Sequence, residues 1–126
     1  MHIVGKLDKS IYSCMGEVFI TDEVIITNEQ LQHVKERHPE VYDNILGYIE
    51  IILNSPDYII EDTKHKHSAM VIKKMETEKE HNLLLLRICT AKDSIGYKNS
   101  IITSWEISEK RLNNYLRNKK ILYRKA

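Results

Sequence analysis

The sequence predicts an α+β domain in which an N-terminal helical pair packs on a small antiparallel β-sheet and a C-terminal helix completes the fold. Three observations lead there. Helical periodicity occupies residues 28–53 and strand-like runs occupy residues 58–107, so the two kinds of segment are segregated rather than alternating. The helical stretch is divided by the run His33-Val34-Lys35-Glu36-Arg37-His38-Pro39, because proline disfavours an α conformation at the residue before it. A serine-capped helix follows the last strand-like run.

Each element has a local cause. Residues 1–22 read as a lead-in with a short strand at 11–15, and residues 23–26 read as a second strand rich in β-branched side chains. Thr27-Asn28-Glu29-Gln30 matches a capping box, with Leu31 and Val34 on one face behind it, which predicts a helix over 28–37. Pro39 suits the first position of a new helix over 39–53, whose buried stripe is Val41, Ile45, Tyr48, Ile49 and Ile52. Asn54-Ser55-Pro56-Asp57 ends that helix, and residues 58–61 read as the first main strand. Residues 69–75 and 83–90 predict a hairpin around the charged segment 76–81. Residues 100–107 carry the lone Trp105 on a further strand, Ser108 caps a helix over 109–118, and residues 119–126 read as a basic tail.

Composition bounds the function. A chain of 126 residues with 42% hydrophobic content fills one core, so residues 1–126 are expected to form a single domain. Lys and Arg number 19 against 18 Asp and Glu, a formal net charge of +1 that supplies no global basic field for nucleic acid, so such binding would rest on a local patch. The first residues lack the basic flank and apolar core of a signal peptide, and no run approaches the roughly 18 apolar residues of a membrane span. A soluble, cytoplasmic protein is the expectation, with no membrane partner. The two cysteines, Cys14 and Cys89, do not suggest a disulfide framework, and Cys89 in an apolar strand reads as packing.

Several side chains have types and spacings that suit chemistry. Gln30, His33 and Arg37 fall at i, i+3 and i+7, on one helical face about a quarter-turn from Leu31 and Val34. A guanidinium offers a fixed fork of donors to phosphate oxygens and an imidazole exchanges a proton near neutral pH, so the pair suits phosphodiester chemistry. An ordinary polar helix face has the same spacing. His38 is either a third such group or a cap at the helix restart. Strand alternation puts Lys73 on a face with Val71, and Arg87 on a face with Leu83, Leu85 and Cys89. Such cations bind phosphate on an uncovered sheet or snorkel at the strand end. In the last strand, alternation separates Ser100, Ile102, Ser104 and Glu106 from Ile101, Thr103, Trp105 and Ile107. His65 and His67 would grip a metal from one side only, with no ligand set to complete it. The zinc-protease, phosphate-loop and nucleophilic-serine motifs are all missing.

Taken together, Asp22-Glu23-Val24-Ile25-Ile26-Thr27, the His33 to Pro39 run, Asn54-Ser55-Pro56-Asp57-Tyr58-Ile59 and Lys98-Asn99-Ser100-Ile101-Ile102-Thr103 with Trp105 form an ordered set. The chain resembles the phage-associated barnase, EndoU, colicin and RelE-like nucleases (PBECR) over residues 5–123. The resemblance implies the helical pair on an antiparallel sheet, and RNA cleavage with neither a metal nor a nucleotide cofactor, in phage or mobile-element settings. It draws attention to His33, Arg37 and His38 at the helix junction and to Asn99, Ser100 and Thr103 at the last strand.

Metal-free RNA cleavage needs a base for the ribose 2′-hydroxyl, an acid for the departing 5′-oxygen and cations for the charged intermediate. On that expectation His33 or His38 carries a proton, Arg37 with Arg87 or Lys73 holds phosphate, and Ser100 and Thr103 donate hydrogen bonds. Tyr97 and Asn99 are further substrate contacts, with Tyr97 suited to stacking or proton transfer. An inhibitor protein of the immunity or antitoxin kind is an expected partner beside RNA. The alternative is a catalytically inactive module of the same fold that binds RNA or a protein through the basic tail and the sheet.

Overall fold

The computed structural model describes residues 2–16, 20–37, 45–76, 78–90, 93 and 97–125. In chain order these form β1 (His2–Lys6), α1 (Lys9–Tyr12) running into a 3-10 turn (Ser13–Met15), β2 (Glu23–Ile26), α2 (Asn28–Arg37), α3 (Ile45–Asn54) and β3 (Tyr58–Glu61). Then follow β4 (Ser68–Lys73), β5 (His81–Arg87), β6 (Asn99–Ile107), α4 (Glu109–Asn118) and β7 (Ile121–Arg124). All seven strands join one sheet in the order β1-β2-β6-β5-β4-β3-β7. The α+β class agrees with the sequence, although the sheet is mixed, because β2 pairs with β6 in parallel.

Local chemistry explains where the elements begin. The Thr27 hydroxyl accepts from the Gln30 N–H at 3.2 Å, and the Ser108 hydroxyl accepts from the Arg111 N–H at 3.1 Å, so α2 and α4 start at the caps read from sequence. The start of α4 is also tied to the sheet, with Glu109 Oε2 2.6 Å from His81 Nε2. Two expectations are corrected. Residues 11–15 are helical instead of extended, because the Asp8 carboxylate caps the turn by accepting from the Ser10 N–H at 2.9 Å, and Gly16 stops it at φ 71°. The tail beyond Lys119 is not a free basic arm: Ile121, Leu122 and Tyr123 make an edge strand antiparallel to β3, with Lys125 N–H donating to Asp57 O at 2.9 Å. The expected helix start at Pro39 and its stripe residue Val41 lie outside the described residues.

The sheet has two packed faces. On one, Leu31 and Val34 of α2 and Tyr48, Ile49, Ile52 and Leu53 of α3 bury against Val24, Ile26, Ile59, Val71, Leu84, Leu86 and Ile101. Tyr12 is fully buried there, its hydroxyl donating to Leu53 O at 2.6 Å. On the other, Leu112 of α4, with the half-buried Tyr115 and Leu116, covers Ile60, Met70, Ile72, Leu83, Leu85 and Ile107. The four leucines Leu83 to Leu86 therefore alternate between two apolar layers, as a central strand buried on both sides must. Helices thus lie on both faces, not on one as read from sequence. Among the described residues no helix is long and apolar enough to cross a membrane.

Candidate functional site on the open part of the sheet

The helix α4 covers residues of β3, β4, β5 and the C-terminal end of β6, and the α4 face of the sheet opens beyond it. The side chains there come from strand ends. Ile3 opposes Ile25 across β1 and β2, Ile25 aligns with Ser100 on β6, Ser100 opposes Arg87 on β5, and Arg87 opposes Ser68 on β4. A row of five strands thus carries Ser100 at its centre, with Arg87 beside it.

A break in register brings the polar groups of β6 together. Leu86 pairs with Ile101 while Leu85 pairs with Thr103, leaving Ile102 as an extra residue. Strict alternation would send Ser100 and Thr103 to opposite faces. The bulge puts both on the Arg87 side, since Ser100 opposes Arg87 and Thr103 opposes Leu85. Ile102 packs towards the α4 layer and lines a pocket there.

Two cavities share Arg87. One, of about 600 Å³, is lined by His2, Ile3, Ile25, Thr27, Arg87, Tyr97, Lys98 and Ser100. The other, of about 390 Å³, is lined by Arg87, Ile102, Thr90, Asp93 and the stretch His65, Lys66, His67 and Ser68. The guanidinium is a third exposed and is aimed by Asp93, with Nη2 at 2.7 Å from Oδ1 and Nη1 at 3.4 Å from Oδ2. Asp93 also accepts from the Thr90 N–H at 2.7 Å. The carboxylate takes up only part of the fork's N–H donors, which leaves the rest for an anion in either cavity.

The hydrogen bonds from Arg87 and the Thr90 amide hold the Asp93 carboxyl at about 2, below its ordinary 3.8, and the same contact raises Arg87. A depressed carboxyl pKa contributes stability that is present above the unfolded value and is lost as pH falls through the folded one. Wild-type protein is therefore expected to lose this contribution between about pH 4 and about pH 2, and Asp93→Asn is expected to remove that part of the loss. Thermal unfolding followed across this range checks it; equal acid sensitivity in both proteins would refute the assignment.

The expected site residues divide by position. Arg87, Tyr97 and Ser100 line one cavity together, Tyr97 being 58% exposed, and Thr103 follows on the same face. His33 and Arg37 are exposed on α2, whose buried side packs in the other layer, and neither lines these two cavities; Thr27, just before α2, does. His38 lies outside the described residues. Lys73 is used elsewhere: its Nζ donates to Ser55 O at 2.8 Å and approaches Asp57 at 3.9 Å, bracing the turn between α3 and β3. Asn99, expected at the substrate, is fully buried and faces inward. Its Oδ1 accepts from the Cys89 N–H at 2.8 Å, and its Nδ2 donates to Thr21 O at 2.8 Å and Glu23 O at 3.0 Å. It fixes the walls of the pocket instead of reaching into it.

Sequence reading missed three contributors. Asp93 follows Thr90 at the spacing of a side-chain turn, a signal that was available but has no link in sequence to Arg87. Lys98 enters the pocket wall paired with Glu23 at 2.5 Å, which holds the Glu23 carboxyl below its usual range. Thr27, the cap of α2, also lines the larger Arg87 cavity. Concerning metals, His65 Nδ1 lies 2.8 Å from Asp62 Oδ2, and among the described residues no three His, Cys, Asp or Glu side chains gather as a ligand set.

A mixed seven-stranded sheet with four described helices, presenting an aimed guanidinium on its open part, is consistent with a nuclease fold. Residues 2–124 match the family described as phage-Barnase-EndoU-ColicinE5/D-RelE like nuclease2, and the chain belongs to this family of phage-associated nucleases. No curated protein matches the chain. No solved structure matches it either.

Proposed function

We propose that the chain is a metal-independent endoribonuclease that cleaves RNA by attack of a ribose 2′-hydroxyl on the adjacent phosphorus. The observation that carries this reading is the Arg87 fork, steered by Asp93 and flanked by Ser100 between two open cavities. In the reaction Arg87 holds the non-bridging phosphate oxygens, where charge grows in the transition state, and Ser100 and Thr103 donate hydrogen bonds to the same group. Tyr97 stacks on a neighbouring base. His33 and His38 are the candidates from the helix junction for proton transfer, with Arg37 beside them. The protein acts in the cytoplasm in a phage or mobile-element setting, in the manner of a toxin, and an inhibitor protein that covers the Arg87 cavities would protect the host.

Incubation with several RNA types in excess EDTA tests the reading. Cleavage that leaves 2′,3′-cyclic phosphate ends is expected. Binding without any cleavage would replace the enzyme by an inactive RNA-binding module, and cleavage restored only by an added divalent ion would overturn the metal-independent chemistry.

A further inference from the structure

The connection between β3 and β4 brings two imidazoles to the second Arg87 cavity, and they are not equivalent. His65 is exposed and engaged with Asp62. His67 is half-buried, and with φ of 60° it is the one non-glycine residue of positive φ among the described residues. Side-chain-bearing residues occupy this left-handed region at a cost, and residues held there cluster at functional sites. The surrounding sheet holds this one firmly: Ile88 N–H donates to His67 O at 2.8 Å, and the next residue, Ser68, is the cross-strand partner of Arg87. His67 and Arg87 therefore line the same cavity.

We propose that His67 is one of the two proton carriers of the cleavage reaction, acting on the phosphodiester that Arg87 holds. This rests on the ribonuclease reading above. Such cleavage needs a base and an acid on opposite sides of the phosphorus, and His33 of the helix junction lines neither Arg87 cavity. In the step, the 2′-oxygen to phosphorus bond forms as the phosphorus to 5′-oxygen bond breaks. One proton leaves the 2′-hydroxyl and one reaches the 5′-oxygen, with no electron transferred and no other reactant. The charged groups facing His67 in this cavity are Arg87, Asp93, Lys66 and His65. A second crevice that His67 also lines adds Glu61, Asp62, Lys64, Lys120 and Cys14.

The backbone conformation gives an unusually clean test, because glycine suits φ of 60° and His67→Gly removes the ring without imposing strain. With full-length protein and a short RNA in EDTA, His67→Gly is expected to lower kcat by about 10²- to 10⁴-fold with KM little changed. Free imidazole is expected to restore part of the loss, and one limb of the pH profile is expected to vanish: the acidic limb if the ring is the base, the alkaline limb if it is the acid. His67→Asn, which also tolerates the left-handed region, serves if the glycine variant folds poorly. Cleavage within about threefold of wild type, or a loss with both limbs intact and no imidazole rescue, would overturn the role of His67 while leaving the ribonuclease reading in place. Wild-type protein that cleaves no RNA would overturn both.

Discussion

Arg87→Ala is expected to lower kcat/KM for RNA cleavage by about 10²- to 10³-fold, the range found when a preorganised donor to a developing oxyanion is removed. Among the described residues Arg87 alone lines both cavities, and its orientation comes from Asp93. Arg87→Lys is expected to recover little, because an ammonium cannot grip Asp93 and phosphate at once with a planar fork. The fold should survive the substitution: Arg87 is a strand-end side chain a third exposed, so its loss opens no apolar cavity. Steady-state kinetics with a fluorescent RNA, alongside circular dichroism, separate the two effects. A variant that keeps its activity would remove Arg87 from the phosphate site.

The largest effect on stability is expected from Asn99→Ala. Asn99 is fully buried, and its amide joins the end of β5, the approach to β2 and the start of β6 through three hydrogen bonds. Losing three bonds at about 1 kcal/mol each, with the Cys89 N–H left buried and unmatched, should cost roughly 2–4 kcal/mol. Urea unfolding measures it directly. A cost below about 1 kcal/mol would mean that water replaces the amide and that Asn99 does not clamp the three segments.

Much of this architecture was readable because it follows from local rules. The Thr27 and Ser108 hydroxyls announce α2 and α4 since a helix needs acceptors for its first amides, and those caps are seen at both sites. The apolar run Leu83 to Leu86 announces β5 as a strand, but not that helices cover both of its faces. What escaped is set by contacts between distant segments. Nothing in the run Ser100-Ile101-Ile102-Thr103 says that Ile102 is the extra residue, yet that one slip decides whether Ser100 and Thr103 share a face. Lys73 and Arg87 look alike in sequence, both cations in apolar strands. Their different uses depend on Ser55 and Asp57 at one end of the sheet and on Asp93 at the other. The edge strand β7 was hidden by Arg124 and the flanking Lys119, Lys120 and Lys125, since its apolar core of Ile121, Leu122 and Tyr123 becomes a strand only beside β3.

The central claim is that the open sheet around Arg87 cuts RNA through a ribose 2′-hydroxyl. A strand fully 2′-O-methylated except at one internal ribose, incubated with wild-type protein in EDTA, tests it most directly. The expected result is a single cut immediately 3′ of the unmodified ribose, leaving a 2′,3′-cyclic phosphate, and no such cut with Arg87→Ala. Cleavage of the fully methylated strand, or equal cleavage by the Arg87 variant, would contradict it.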